Sequence, residues 1–141
     1  MNGPVICGVE DASSAAGAIQ LAGELAERYS LPLLYVHVVD GGGGVARAAD
    51  LLRETGAGHA GLVLERGHPA DRLVELAGER RASFLVVGNH GPRSSLLGSV
   101  SADVARRAPC PVVVVAPTAV RSPRVPAGTD SVEAEPELVL Q

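Results

Sequence analysis

The residues best suited to chemistry lie in one stretch, residues 86–101, where an apolar strand leads through a group of glycines into a helix. Gly88, Gly91 and Gly98 would let the main chain approach a ligand closely. The helix predicted from Ser99 would present unpaired N–H groups and the positive end of its dipole. The stretch therefore predicts a binding site for an oxyanion of the phosphate type.

Short apolar runs without clean alternation predict five strands covered on both faces. They occupy residues 4–9, 33–39, 61–65, 84–87 and 112–115. Apolar residues at three-and-four spacing predict a helix after each of the first four strands, the last over 99–107 with Ser99 as its N-cap. This alternation predicts an α/β fold: a doubly wound five-stranded parallel sheet with helices on both faces.

Composition excludes several classes of function. The 141 residues carry a net charge of −4 and only two Tyr and one Phe, so we expect no nucleic-acid partner. All twelve cations are arginine, which removes a P-loop lysine and any lysine nucleophile. No apolar run is long enough to cross a bilayer and no signal segment is visible, so we expect a cytoplasmic protein without a membrane partner.

The amino-acid composition of the chain changes after residue 116. We predict one domain over residues 1–116 and a mostly disordered tail over 117–141, because the tail is rich in proline and glutamate. Its apolar end, Leu138 to Leu140, would either fray, which we expect, or dock on a partner or a sheet edge. Cys7 and Cys110 fall on strands that should not be neighbours, so we expect free thiols.

The same residues resemble the universal stress protein family. The spacing of Gly88, Gly91 and Gly98-Ser99, together with Ala-Pro-Cys-Pro-Val-Val-Val-Val at 108–115, is similar to the C-terminal half of that domain. Residues 5–10 and 34–40 are similar to its first two strands, and 67–70 to the start of its third helix. The resemblance covers roughly residues 4–116 and implies the adenine nucleotide alpha-hydrolase-like fold.

The resemblance also implies a ligand, ATP, and the residues that would hold it. Its phosphates and ribose would lie against Gly88, Gly91, Gly98, Ser99 and Val100. Glu10 would take the position of the acid near the ligand, and Val38 would offer its backbone to adenine. From the residues themselves, His90 inside the glycine loop would donate to a phosphate. We expect Glu10 and Asp11 to form a solvated, helix-capping pair; the alternative, if nucleotide binds, is that one of them holds the accompanying Mg²⁺.

Two departures from the family pattern leave a second interpretation open. The segment between Gly91 and Gly98 has six residues, fewer than in the ATP-binding members, and the first strand ends in Glu10-Asp11-Ala12 instead of Asp-Gly-Ser. The alternative is a homodimeric interaction protein of the same fold that binds no nucleotide. In that case the glycines only shape the turn and Ser99 only caps the helix.

An enzyme is the least favoured reading. No Ser-His-Asp or Cys-His spacing is present and the four histidines lack metal-ligand spacing, so we predict no catalytic residues and no protein metal site, while slow ATP hydrolysis stays open.

We predict that Val112 to Val115 forms the last strand, and therefore an edge. The family resemblance implies that this edge pairs antiparallel with a second copy, giving a homodimer.

Overall fold

The computed structural model describes most of the chain, in six segments: residues 2–10, 15–39, 44–57, 61–89, 98–116 and 138–140. Strands and helices alternate along the first 116 residues, as predicted. The strands are β1 (Val5–Gly8), β2 (Leu33–Val39), β3 (Val63–Arg66), β4 (Phe84–Gly88), β5 (Val112–Val115) and β6 (Leu138–Leu140). The helices are α1 (Ala15–Tyr29), α2 (Val45–Glu54), α3 (Pro69–Glu79) and α4 (Ser99–Arg107).

The strands form one sheet in the order β3-β2-β1-β4-β5-β6. The pairings among β1 to β5 are all parallel, so their carboxyl ends meet at one edge of the sheet. The chain fills one side of β1 with β2 and β3, and then crosses to the other side with β4 and β5. The strand order therefore reverses between β1 and β4, which is where open α/β sheets bind ligands. The predicted five-stranded parallel fold is confirmed.

Two apolar clusters, one on each face, bury the sheet. Successive residues of β1 point to opposite faces, so Val5 and Cys7 join one cluster and Ile6 joins the other. The first cluster is covered by α1 and α2, and the second by α3 and α4. This arrangement explains why β1, β4 and β5 consist only of apolar residues and glycine.

Strand β3 is the exception, because it is an edge of the sheet. Its residues alternate between half-buried and exposed, and Leu64 is 50% exposed. Its next residue, Glu65, receives a hydrogen bond from Arg72 of α3 at 2.7 Å. A charged edge of this kind discourages pairing with other chains.

Strand β6 changes the expected position of β5. It pairs antiparallel with β5, so the prediction that β5 is the last strand, and therefore an edge, is wrong. The expected fraying of Leu138 to Leu140 is wrong as well, and the alternative, docking on a sheet edge, is confirmed. The sequence did not favour that alternative, because a three-residue Leu-Val-Leu segment far from the other strands has no periodicity to measure. The division into a domain over 1–116 and a disordered tail stays a prediction, since 117–137 lie outside the described residues.

Both cysteines are free thiols, as predicted. Cys7 is completely buried in β1, and burial raises the pKa of its thiol far above the ordinary value. Burial also raises the pKa of Cys110, which is half-buried just before β5. Neither thiol is therefore activated as a nucleophile.

A pair of leucine truncations tests this core. Leu85 on β4 is completely buried between the two neighbouring strands, so Leu85→Ala should lower the free energy of unfolding by about 2–5 kcal/mol. Leu64→Ala removes the same atoms from the half-exposed edge and should cost about 1 kcal/mol. Urea denaturation of both variants measures the difference, and equal losses would contradict this packing.

Candidate functional site

The carboxyl ends of three strands meet where the strand order reverses. Gly8 is paired with Val36, so continuing that register by two residues puts Glu10 level with Val38. Cys7 is paired with Val86, so continuing by three residues puts Glu10 level with Asn89. The structure therefore brings the ends of β2, β1 and β4 together, with the predicted Glu10 in the middle.

Asn89 ties this edge to helix α4. Its side-chain oxygen Oδ1 accepts a hydrogen bond from the N–H of Gly98 at 2.8 Å, and its own N–H donates to the carbonyl of Val115 at 3.0 Å. These two bonds hold the start of α4 beside the ends of β4 and β5, although nine positions separate Asn89 from Gly98. Asn89 was not singled out from the sequence; an asparagine directly after a buried strand, followed by glycines, was the available signal.

The N-cap of helix α4 lies one residue earlier than predicted. Gly98, not Ser99, is the N-cap, and Ser99 is the first helical residue, so the predicted capping role of Ser99 is wrong. The Ser101 hydroxyl turns back to the carbonyl of Gly98 at 3.2 Å. The first bond inside the helix is donated by the N–H of Ala102 to the same carbonyl, at 2.9 Å. The N–H groups of the three residues before Ala102 lie in the first turn and have no helical carbonyl to bind.

Contacts farther along α4 hold its axis in place. Val104 is completely buried, and Val100 packs against the same cluster on the α3 and α4 face. At the other end Arg107 donates to Asp71, in the first turn of α3, at 2.9 Å. The positive end of the α4 dipole is thereby fixed at the carboxyl edge of the sheet.

His37 brings a second polar group to this edge. It is 7% exposed, on β2 immediately before Val38, and its Nδ1 lies 2.7 Å from the carbonyl oxygen of Val9. A carbonyl can only accept, so Nδ1 carries a proton, and in the neutral ring Nε2 is an acceptor. Nε2 is buried and has no hydrogen-bond partner among the residues that the structure describes. Within the described segments, only one of the two ring nitrogens of His37 is therefore hydrogen-bonded.

The other predicted site residues fall into two groups. Those that the structure describes meet at the carboxyl edge: Glu10, Val38, Gly88, Gly98, Ser99 and Val100. His90 and Gly91, and with them Asp11, lie outside the described residues. The half-buried Val38 belongs to the cluster under α3, so its main chain is what it offers at the edge.

Two general features complete the description of the site. Within the described segments, no group of three or more His, Cys, Asp or Glu side chains is arranged to hold a metal ion.

None of the helices described is long and apolar enough to cross a membrane.

A family comparison decides the chain's relationship to known proteins. The model of the universal stress protein family matches residues 44–116, which include β3, β4, α4 and β5. A crystal structure of a universal stress protein in complex with cAMP is 32% identical, with a TM-score of 0.67, over 83% of this chain and 98% of that one. The chain belongs to the universal stress protein family.

Further relatives agree with this membership. A universal stress protein from Archaeoglobus fulgidus, in complex with dAMP, is 26% identical over 81% of this chain and 97% of its own, with a TM-score of 0.58. A universal stress protein of Mycobacterium tuberculosis is 52% identical over 52 residues, 35% of this chain. That match spans only 36% of the length of the mycobacterial relative.

Removing the Asn89 amide should loosen the start of α4. Asn89→Ala leaves the N–H of Gly98 without its acceptor and should lower the free energy of unfolding by about 0.5–1.5 kcal/mol. Asn89→Asp keeps an oxygen at the same place and serves as the control. Chemical denaturation gives the cost, and amide exchange at Gly98 should quicken in the alanine variant alone. Unchanged exchange in that variant would contradict the anchoring role of Asn89.

Proposed function

We propose that this universal stress protein binds an adenine nucleotide at the carboxyl edge of its sheet, with a phosphate at the start of α4. The observation that carries the proposal is the 2.8 Å hydrogen bond from Gly98 to Asn89, which sets the first turn of α4 beside the strand ends. There the N–H groups of Ser99 and Val100, together with the helix dipole, favour a bound anion.

Two relatives support adenine as the base. One universal stress protein is in complex with cAMP and another with dAMP, and both ligands join adenine to a phosphate through a sugar. On this chain adenine would lie near the main chain of Val38, and the sugar would lie between Glu10 and the start of α4. We propose ATP as the ligand in the cell, with Mg²⁺ held by its phosphates and by Glu10.

His37 supports a ligand at this edge in a different way. A buried nitrogen without a hydrogen bond is costly, and a ligand donor placed against Nε2 would remove that cost. The amino group of adenine and the hydroxyls of ribose are donors of the right kind. The residues that the structure describes therefore fit an adenine nucleotide at both its phosphate and its nucleoside end.

We further propose that binding occurs without fast turnover. The chain has no lysine, and the pKa values of both thiols are raised, so neither a phosphate-activating lysine nor a reactive cysteine is available. The protein would then act by binding nucleotide and changing its interactions under stress. The alternative, a module of the same fold that binds no nucleotide, is favoured by the six-residue segment between Gly91 and Gly98.

Substitutions at Gly98 test the phosphate position. Gly98 has φ −69° and ψ 168°, an extended conformation that any residue adopts, so its replacement should not strain the backbone. Gly98→Asp supplies a good N-cap but places a negative charge where the phosphate would lie. We expect it to weaken ATP binding at least about tenfold in calorimetry, with Gly98→Asn, of equal size and uncharged, weakened less.

Two controls make this test specific. His68→Asp puts the same carboxylate at the N-cap of α3, the helix that follows the edge strand β3. It should leave the affinity for ATP within about twofold of that of the unmodified protein. The unmodified protein should release heat with ATP and Mg²⁺, AMP or cAMP at millimolar concentration. If it binds none of the three, the interaction-module alternative is correct.

A substitution at His37 tests the nucleoside position. His37→Asn keeps an N–H near Nδ1, and thus the bond to Val9, but removes Nε2. We expect unchanged thermal stability and affinity for adenosine nucleotides reduced by about five- to tenfold, since one buried hydrogen bond is lost. His37→Gln, which keeps a polar group near Nε2, should retain more of the affinity. Equal affinity in His37→Asn and the unmodified protein would contradict this contact.

A further inference from the structure

The outer edge of β5 is a surface for a strand, and the chain's own C-terminal segment lies on it. Leu138 to Leu140 pair antiparallel with β5, with Leu140 opposite Val113, Val139 opposite Val114 and Leu138 opposite Val115. Residues 117–137 separate the two strands in the sequence. None of the predicted nucleotide-site residues belongs to β5 or β6.

The side chains of β5 are buried in the two apolar clusters. Val113 and Val115 belong to the cluster under α1 and α2, while Val112 and Val114 belong to the cluster under α3 and α4. All four are at least 97% buried, since their exposed fractions are 1–3%. What β5 offers to a partner is therefore its main-chain N–H and C=O groups, and these accept many sequences as long as the partner is an extended strand.

The described part of the segment on this edge is shorter than the edge itself. β6 has three residues and β5 has four, and the register puts Val112 level with Gln141, which lies outside the described residues. A second copy of β5 would match the edge along its whole length, because two identical strands pair antiparallel about a two-fold axis. The same edge thus suits two occupants, one inside the chain and one from another copy.

We propose that Leu138–Leu140 is an intramolecular competitor that keeps the edge of β5 closed to a second copy of this chain. Self-association through Val112–Val115 then requires β6 to leave. A segment of the same chain competes at an effective concentration on the order of millimolar, whereas a second copy is present at its bulk concentration. At micromolar protein the internal strand is therefore favoured about a thousandfold if the two pairings are equally strong.

The competition would make the C-terminus a control point for assembly. Anything that removes or binds Leu138–Leu140 would uncover the edge of β5, and an exposed apolar strand edge pairs readily with the same edge of another copy. Substitutions within β5 cannot test this, because a charge at Val114 or Val115 would be buried in the core and would unfold the domain. The test must act on β6.

Two truncations differ only in β6. Ending the chain after Glu137 removes Leu138–Leu140 together with Gln141, whereas ending it after Leu140 removes Gln141 alone. Light scattering behind size exclusion, at about 1–200 µM protein, measures the mass of each. We expect the unmodified and control chains to be monomers at low micromolar concentration. The chain ending at Glu137 should be a dimer there, with a dissociation constant lower by at least about tenfold.

A free peptide with the sequence of the removed segment provides a second test of the competition. Residues 132–141 as a free peptide should return the truncated chain to the monomer mass, while the same peptide with Val139→Pro should not, because proline removes a main-chain donor. Full-length Val139→Pro is the second variant, used if the truncated chain fails to fold, and it should dimerise as well. Circular dichroism checks that each chain is folded.

Three results would overturn the proposal. The first is a folded truncated chain that stays monomeric up to about 200 µM, a concentration well above the expected dissociation constant. The second is an unmodified protein that dimerises as strongly as the truncated one. The third is an unmodified dimer that becomes a monomer on truncation, which would mean that β6 pairs with the partner's β5.

Discussion

The parallel pairing of β1 with both β2 and β4 is the constraint on which the rest of the structure depends. β1 is completely buried, and its alternate residues supply both apolar clusters, so helices must cover both faces of the sheet. Because β2 lies on one side of β1 and β4 on the other, the connections diverge. The candidate site lies at the carboxyl edge where the connections diverge, which is where open α/β sheets bind ligands.

The site is built by a few polar contacts on this apolar frame. Asn89 uses both its side chain and its N–H to join the start of α4 to the end of β5. His37 uses one ring nitrogen to join β2 to the end of β1, and its other ring nitrogen has no hydrogen-bond partner among the described residues. The first contact positions the N-terminal end of a helix at the carboxyl edge of the sheet, and the second places a buried acceptor nitrogen near the same edge.

The strands β3 and β5, on opposite sides of the sheet, are protected from pairing with other chains in different ways. β3 carries exposed and charged residues, and Arg72 bridges Glu65 on β3 and Glu75 on α3, so this edge is poorly suited to pairing. β5 has four valines and no charge, and it is paired with β6 instead. A strand that is apolar on both faces must have its edge occupied, and here the occupant comes from the same chain.

The sequence by itself determined the elements and their class. Local periodicity is a property of neighbouring residues, so β2, α4 and β5 were predicted at their observed bounds, and the run of buried strands with intervening helices implied a parallel sheet. The glycines, the helix start and the family resemblance pointed to the carboxyl edge of the sheet as the candidate site. Tertiary structure alone decided which groups face one another: Gly98 rather than Ser99 caps α4, Asn89 holds it, and Nε2 of His37 has no partner within the described segments. It also decided that β5 is paired with β6, because contacts between residues far apart in the chain leave no periodic trace in the sequence.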